Sequence, residues 1–538
     1  VGPGEVKPGS LRRRDVLGLG LGAATVLGAG CSPAAPAAVP VQWVGASHTR
    51  GHRLRRSGAL PPVAVQRQAG ALVIGAGVAG LAAARGLRQR GIDDVHVLEL
   101  EDQPGGNSRG HQMAGMACPL GAHYLPLPGP QAREVSELLH ELGLLKHELG
   151  RTVADERHLC HSPQERVFFE GAWAEGLLPP VEPGSRSAQQ LQAFAAAVAA
   201  VQRAGAGRRG EPAFAQPAHR SAWGPLQAQL DAQTFAQWLD AHGLDDAHLR
   251  WYLGYCCRDD YGATPEEVSA WAGLHYFASR HGFHAPGSET EEREAVFTWP
   301  EGNAWLTQRL AAPLGERLHG GRTVLQVSEG RHAVEVLAWD EAQQRLERWT
   351  SPQVVLALPL FIAARVVQNP PPALAQAAAL LPYAPWLVAN LQIDAPLFDR
   401  PGAPPSWDNV VYGGRGLGYV DAMHQSLRPV PGATVLTAYH ALARSERAAL
   451  LADDPTPWAA RVLAELRGAH PDIDEHVQRI HLMRWGHAMA IPVPGLQRHP
   501  ALQALRGLRG RLRFAHADLA GCSVFEEACT AGAEAALA

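Results

Sequence analysis

Three glycines, Gly75, Gly77 and Gly80, stand at the spacing G-x-G-x-x-G, and an acid, Glu99, follows them. This set suits binding of a dinucleotide. Gly75 allows a tight turn, Gly77 lets the backbone approach a pyrophosphate, and Gly80 lets a helix pack closely on a strand. Ala79 shares the helix's first turn, whose free N–H groups and partial positive charge favour phosphate. Glu99 can accept hydrogen bonds from ribose hydroxyls. The flanking residues read as the elements that would hold these groups. Ala71–Ile74 is an apolar run expected to form a buried strand. Leu81, Ala84 and Leu87 recur at helical spacing, Gly91 ends the helix, and Val95–Leu98 forms a second strand.

The residues after Glu99 narrow the cofactor. Glu101 to Arg109 reads EDQPGGNSR, and with Val97-Leu98-Glu99 it resembles the "VLE…GG" signature of the flavin-containing amine oxidase superfamily. That group holds monoamine and polyamine oxidases, protoporphyrinogen oxidase and phytoene desaturases. Its members usually carry Arg or Lys after the glycine pair; here Asn107 follows Gly105-Gly106, and Arg109 comes two residues later. Pro119–Tyr124 resembles the family's "G-A-H/Q-W/Y" step, so Gly121, Ala122 and His123 are expected beside the flavin ring. Trp299–Leu306 resembles its "P-x-G-G…L" loop, with Asn303 in place of the second glycine, and a backbone position near Val324 is expected to face the adenine. Residues 481–495 resemble the "W…P…G" segment, which puts Trp485 near the ring. The chain's last part resembles "FAG(D/E)…GA…SG…AA". Asp518 takes the role of the acid on the ribityl–phosphate arm, and Glu527-Ala528 replaces Gly-Ala at the start of a helix facing the flavin.

The resemblance implies FAD and hydride transfer from a substrate C–H, in an amine or a carbon skeleton, to flavin N5, with oxygen or another acceptor reoxidising the cofactor. Trp485, Phe525 and Asn303 are the candidates for lining the reaction site. The lysine that many amine oxidases of the family hold near N5 has no counterpart in Trp386–Asn390, where it would fall. Two alternatives stay open, a nicotinamide-dependent dehydrogenase and an exported non-catalytic protein that keeps the fold.

The charges, 48 Lys and Arg against 52 Asp and Glu, nearly cancel, and nothing points to nucleic acid. Arg12-Arg13-Arg14-Asp15-Val16-Leu17 matches the core of a twin-arginine signal, and the apolar run to Gly30 is short for a membrane span. The mature chain is therefore expected in the periplasm or otherwise exported, with no transmembrane helix and with Cys31 as a candidate lipid-anchor site. Seven cysteines offer no C-x-x-C, and neither His158/Cys160/His161 nor His275/His281/His284 has a metal spacing.

The expected architecture is α/β, a Rossmann-type FAD-binding domain with an interleaved α+β substrate domain. The signal covers 1–31 and a linker 32–68. The FAD-binding domain takes 69–150, 291–370 and 481–538, and the substrate domain 151–290, a largely helical insertion, and 371–480. Helices are expected at Gln131–Leu142, along Leu191–Val201, from Thr234 through a capping box with Gln237, and over Trp251–Ser279. Arg258-Asp259-Asp260-Tyr261-Gly262 interrupts the last. It could line a substrate cavity or form a salt-bridged helix end.

Overall fold

The nucleotide-binding motif folds as its spacing predicts. In the computed structural model, which describes residue 2 and residues 39–538 apart from 56–57, 208–209, 281, 287–294, 427–430 and 453, Ala71–Ile74 is a fully buried strand. The first helix, Val78–Gln89, follows, and then the strand Val95–Leu98. These strands join Leu318–His319, Val354–Leu356 and Leu512–Phe514 in a five-stranded, all-parallel sheet. Burial on both faces explains why the strands are continuous apolar runs. The closing helix, Phe525–Leu537, lies on the first helix, and their contact is made of small residues. A Cβ on Gly532 would stand 2.1 Å from the Ala79 carbonyl oxygen, and one on Gly86 would stand 2.7 Å from Ala536 Cβ. Only glycine permits that approach.

A second sheet has eight strands in the order Val41–Trp43, Val477–Ala490, Tyr383–Ile393, Thr434–Ala441, Tyr419–Asp421, Asp408–Val411, Glu165–Phe169 and Ala172–Glu175. The helices Arg186–Ala204, Phe235–Ala241, Ala247–Tyr261 and Ala270–Ala278 share an apolar core with it through Phe194, Trp238, Trp271 and Trp386. Thr234 caps its helix as expected, accepting the Gln237 N–H at 3.2 Å while Gln237 Oε1 accepts the Thr234 N–H at 3.0 Å.

Two expectations need correction. The linker read over 32–68 is structured from Val41. Val41–Trp43 pairs in parallel with Val477–Ala490, His48–His52 is helical, and Val63–Gln68 adds an edge strand to the antiparallel meander 322–351. Edge strands bury one face at most, and these lack the apolar periodicity that marks a core strand. The insertion 151–290 is largely helical as read, and Glu165–Phe169 and Ala172–Glu175 add a hairpin to the large sheet. The boundary at 481 cuts a single strand of 14 residues, Val477–Ala490. Contacts hold Val41–Ala538 together as one unit. The twin-arginine motif and Cys31 lie outside the described residues, as does His281. Among the described residues no helix is long and apolar enough to cross a membrane.

Candidate active site

Two glycine loops meet at the N-terminus of the first helix. The Gly105 N–H donates to the Ala76 carbonyl at 2.8 Å, and Gly77 and Gly105 form a parallel bridge. Gly106 holds a left-handed backbone with φ of +55°, and a Cβ there would crowd Gly77 Cα at 3.1 Å, so glycine suits the place where the loops meet. Gly77 caps the helix without any side-chain hydrogen bond. Glu99 is buried at the end of its strand, where it accepts the Ala76 N–H at 2.6 Å and the Glu101 N–H at 3.0 Å. Burial raises its pKa against those two bonds. An uncapped helix N-terminus, a side-chain-free cradle and an acid beyond it fit a dinucleotide. Gly75, Gly77, Ala79, Gly80, Glu99, Gly105 and Gly106 are the residues that would hold it. Val324 is buried in the strand Arg322–Glu329, beside a register irregularity.

The segment Pro119–Tyr124 is pinned carbonyl by carbonyl. Asn390 Nδ2 donates to Pro119 O at 3.0 Å, Trp485 Nε1 to Leu120 O at 2.8 Å, and the Tyr439 hydroxyl to Gly121 O at 3.0 Å. The Asn303 N–H donates to Ala122 O at 3.0 Å, and Asn303 Nδ2 to Tyr124 O at 2.9 Å. Gly121 must be glycine here, because a Cβ would lie 2.1 Å from Asn107 O. The pinned loop sets the His123 ring on Tyr439, stacked at 4.3 Å between centroids. Burial holds that imidazole neutral, with its pKa pushed down to about 3.

This loop stands between two chambers. An inner cavity of about 140 Å³ is lined by Asn107, the 121–126 loop, Asn303, Trp386, Val388, Trp485 and Ser523–Glu526. An outer chamber of about 600 Å³ is lined by Tyr252, Tyr255, Tyr276, Phe277, Asp408 and Glu165, with exposed Glu175, Pro180 and His284 at its rim. Both are walled by His123, Tyr124, Pro126, Asp259, Arg280 and Tyr439. Asn107, Gly121, Ala122, His123, Asn303, Trp485 and Phe525 all line the inner cavity.

Four other expected residues turn elsewhere. Arg109 packs its guanidinium on the Trp485 ring at 5.3 Å, 3.8 Å from Glu101. Asp518 is fully buried and accepts the Leu360 N–H at 2.8 Å and the Tyr383 hydroxyl at 2.5 Å. Its burial is outweighed by His516 and these donors, which lower its pKa. Glu527 Oε1 accepts the Ala218 N–H of the insertion, and burial raises its carboxyl to about 7. Ala528 packs against the core around the first helix.

The cluster at 258–262 does both things its residues allowed. Gly262 ends the helix Ala247–Tyr261 in the left-handed conformation, and Asp260 pairs with Arg280 at 3.5 Å. Asp259 faces the chambers and accepts from the Tyr124 hydroxyl at 3.2 Å. Burial, then the neighbouring Asp260, push it up to about 7. Across the outer chamber, burial holds Asp408 well above the carboxylate range, with Glu165 and Asp259 adding to the shift. Sequence reasoning missed Asp408, Glu165 and Tyr439. Their strands lie far apart in the chain, and no local pattern marks them.

The family described as flavin-containing amine oxidoreductase matches residues 78–538. The chain belongs to that family. The cofactor of this flavin-containing family member is FAD. Among curated proteins it is 26% identical over 325 residues to the "Putative flavin-containing monoamine oxidase AofH" of Mycobacterium tuberculosis, covering 59% of this chain and 62% of that protein. The chain thus spans less than two thirds of that relative's length. Putrescine oxidase, solved with putrescine bound, shares the fold with a TM-score of 0.65 at 19% identity, over 88% of this chain and 99% of that one. Cyclohexylamine oxidase from Brevibacterium oxydans gives 0.63 at 19% identity, over 87% and 98%.

Proposed function

We propose that this family member oxidises a small amine at the carbon bearing nitrogen. The observation that supports this reading is the approach to the inner cavity. Asp408, Glu165 and Glu175 stand along an aromatic outer chamber, and Asp259 stands where the chambers meet. Carboxylates with aromatic faces attract and seat a protonated amine, and they disfavour an anionic substrate. The putrescine and cyclohexylamine oxidases of the same fold are consistent with this class.

FAD held at the glycine loops by Gly75, Gly77, Gly80, Gly105 and Gly106 would supply a two-electron acceptor for the substrate C–H bond, to be reoxidised by oxygen or another acceptor. The chain's own part is to bind, orient and exclude water. Trp386, Trp485 and Phe525 give the inner cavity apolar walls, and the neutral His123 ring stacked on Tyr439 narrows the way in. Val388, on the stretch where the family's lysine would fall, lines the cavity as an apolar group. Lys146 pairs instead with Asp155 at 3.9 Å on another strand. The Arg13-Arg14 pair supports the further reading that the enzyme is exported, which fractionation of cells carrying the R13K/R14K chain tests.

The test is anaerobic mixing of the FAD-loaded protein with amines, fatty acids and polyene hydrocarbons. Amines are expected to bleach the flavin band at about 450 nm. Bleaching by the carbon skeletons alone would overturn the proposal.

A further inference from the structure

Tyr124 ties two unlike groups to one residue. Its hydroxyl donates to Asp259 Oδ2 at 3.2 Å, and its carbonyl accepts Asn303 Nδ2 at 2.9 Å. The second bond fixes the Asn303 amide, because only its nitrogen can donate to a carbonyl. Oδ1 is thereby left as a buried acceptor with no hydrogen-bond partner, on a side chain only 2% exposed that lines the inner cavity. Such an atom calls for a donor. Asp259 is the one carboxylate among the described residues that lines both chambers, so a cation entering from the outer chamber meets it before reaching Asn303.

We infer that Asp259 receives the substrate as an ammonium ion and takes one of its protons, and that Asn303 Oδ1 then accepts an N–H of the neutral amine. One N–H bond breaks and one O–H bond forms on Asp259. The positive charge on nitrogen and the negative charge on the carboxylate cancel, and no oxidant or reductant is consumed. The neutral amine holds the lone pair that oxidation at the adjacent carbon requires, and the ammonium ion does not. This inference rests on the amine reading above and assigns the step that prepares the substrate.

The surroundings of Asp259 suit the task. On its own helix it faces Asp260 and Arg258. Arg280, engaged with Asp260, approaches from beyond the next helix, and Tyr124 approaches from the pinned loop. The Asp259 charge in turn raises the pKa of Asp408 in the large sheet, and the Tyr255 and Tyr439 hydroxyls lie in the field of both. His123 beside it stays neutral and cannot compete for the proton. The balance leaves a carboxyl poised at about 7, suited to exchange protons near neutrality.

The experiment is stopped-flow reduction of the FAD-loaded protein by a simple alkylamine, measured against pH. In the parent protein the rate constant over Kd should rise through the ionisation of Asp259. In D259N the rate near neutral pH should fall about a hundredfold, and activity should return only as the free amine itself loses its proton at about pH 10. Y124F, which removes a donor that stabilises the charged carboxylate, should move the parent's acid limb to higher pH. N303G should raise the amine Kd and leave the limb in place. A D259N deficit of equal size at neutral and alkaline pH, or an acid limb that neither D259N nor Y124F moves, would overturn the inference. If no amine bleaches the parent flavin at any pH, the amine reading itself fails instead.

Discussion

The seam between the two glycine loops and the neck between the two chambers work by opposite means. At the seam, side chains are removed. Gly75, Gly77, Gly80, Gly105 and Gly532 bring backbone against backbone, and the binding groups are N–H dipoles that do not titrate. At the neck, side chains converge. Tyr124, Asp259, Asp408 and Tyr439 arrive from four elements, and burial pushes the Asp259 carboxyl up to about 7 and holds Asp408 well above the carboxylate range. The comparison teaches that cofactor binding should be insensitive to pH and intolerant of added atoms, whereas substrate handling should tolerate isosteres and follow pH closely.

The largest effect should come from filling the seam. A Cβ at Gly80 would lie 1.8 Å from the Gly75 carbonyl oxygen, so G80V should cost about 3 kcal/mol or more and leave the protein colourless at every pH. A yellow, stable G80V protein would break the contrast. Glu527 comes next, because it joins the closing helix to the insertion. Its folded pKa, about 7, exceeds the ordinary 4.5, so its contribution is fully present below pH 4.5 and is lost as pH rises through 7. E527Q keeps an acceptor for the Ala218 N–H, and denaturant titrations should find it about 2 kcal/mol more stable than the parent at pH 8 and no more stable at pH 4. Arg109 links seam to cavity through Trp485 and Glu101. R109Q should weaken FAD binding by about 1 kcal/mol, read as a raised Kd with an altered flavin spectrum. The smallest effect belongs to T234A, on the far side of the chamber's helical wall. Losing the cap should lower stability by about 1 kcal/mol and leave the FAD Kd unchanged.

The strand–turn–helix–strand unit was legible because its signals are local. An apolar run, three glycines at fixed spacing and a helical stripe all lie within one short stretch. The Thr234–Gln237 capping box was legible for the same reason. The strand Val41–Trp43 was not, since its partner Val477–Ala490 lies at the other end of the chain and its own three residues carry no pattern. The ambiguity at Asp259-Asp260 could not be settled from spacing either. Adjacent residues on a helix point in different directions, and only the packing decided that Asp260 meets Arg280 while Asp259 meets Tyr124. Glu527 illustrates the converse. Its place in the family's motif suggested a role toward the flavin, yet its carboxyl turns to Ala218 because the insertion packs over the helix start.

The sequence by itself determined the nucleotide fold, the family resemblance and the flavin, because backbone close approach and helix periodicity are written in residue type and spacing. The tertiary structure alone decided which carboxyl stands between the two chambers, which imidazole stays neutral and where Asn303 presents its free oxygen. Those properties arise when burial strips water from groups distant in the chain, and the solvation of a side chain is set by its neighbours in space.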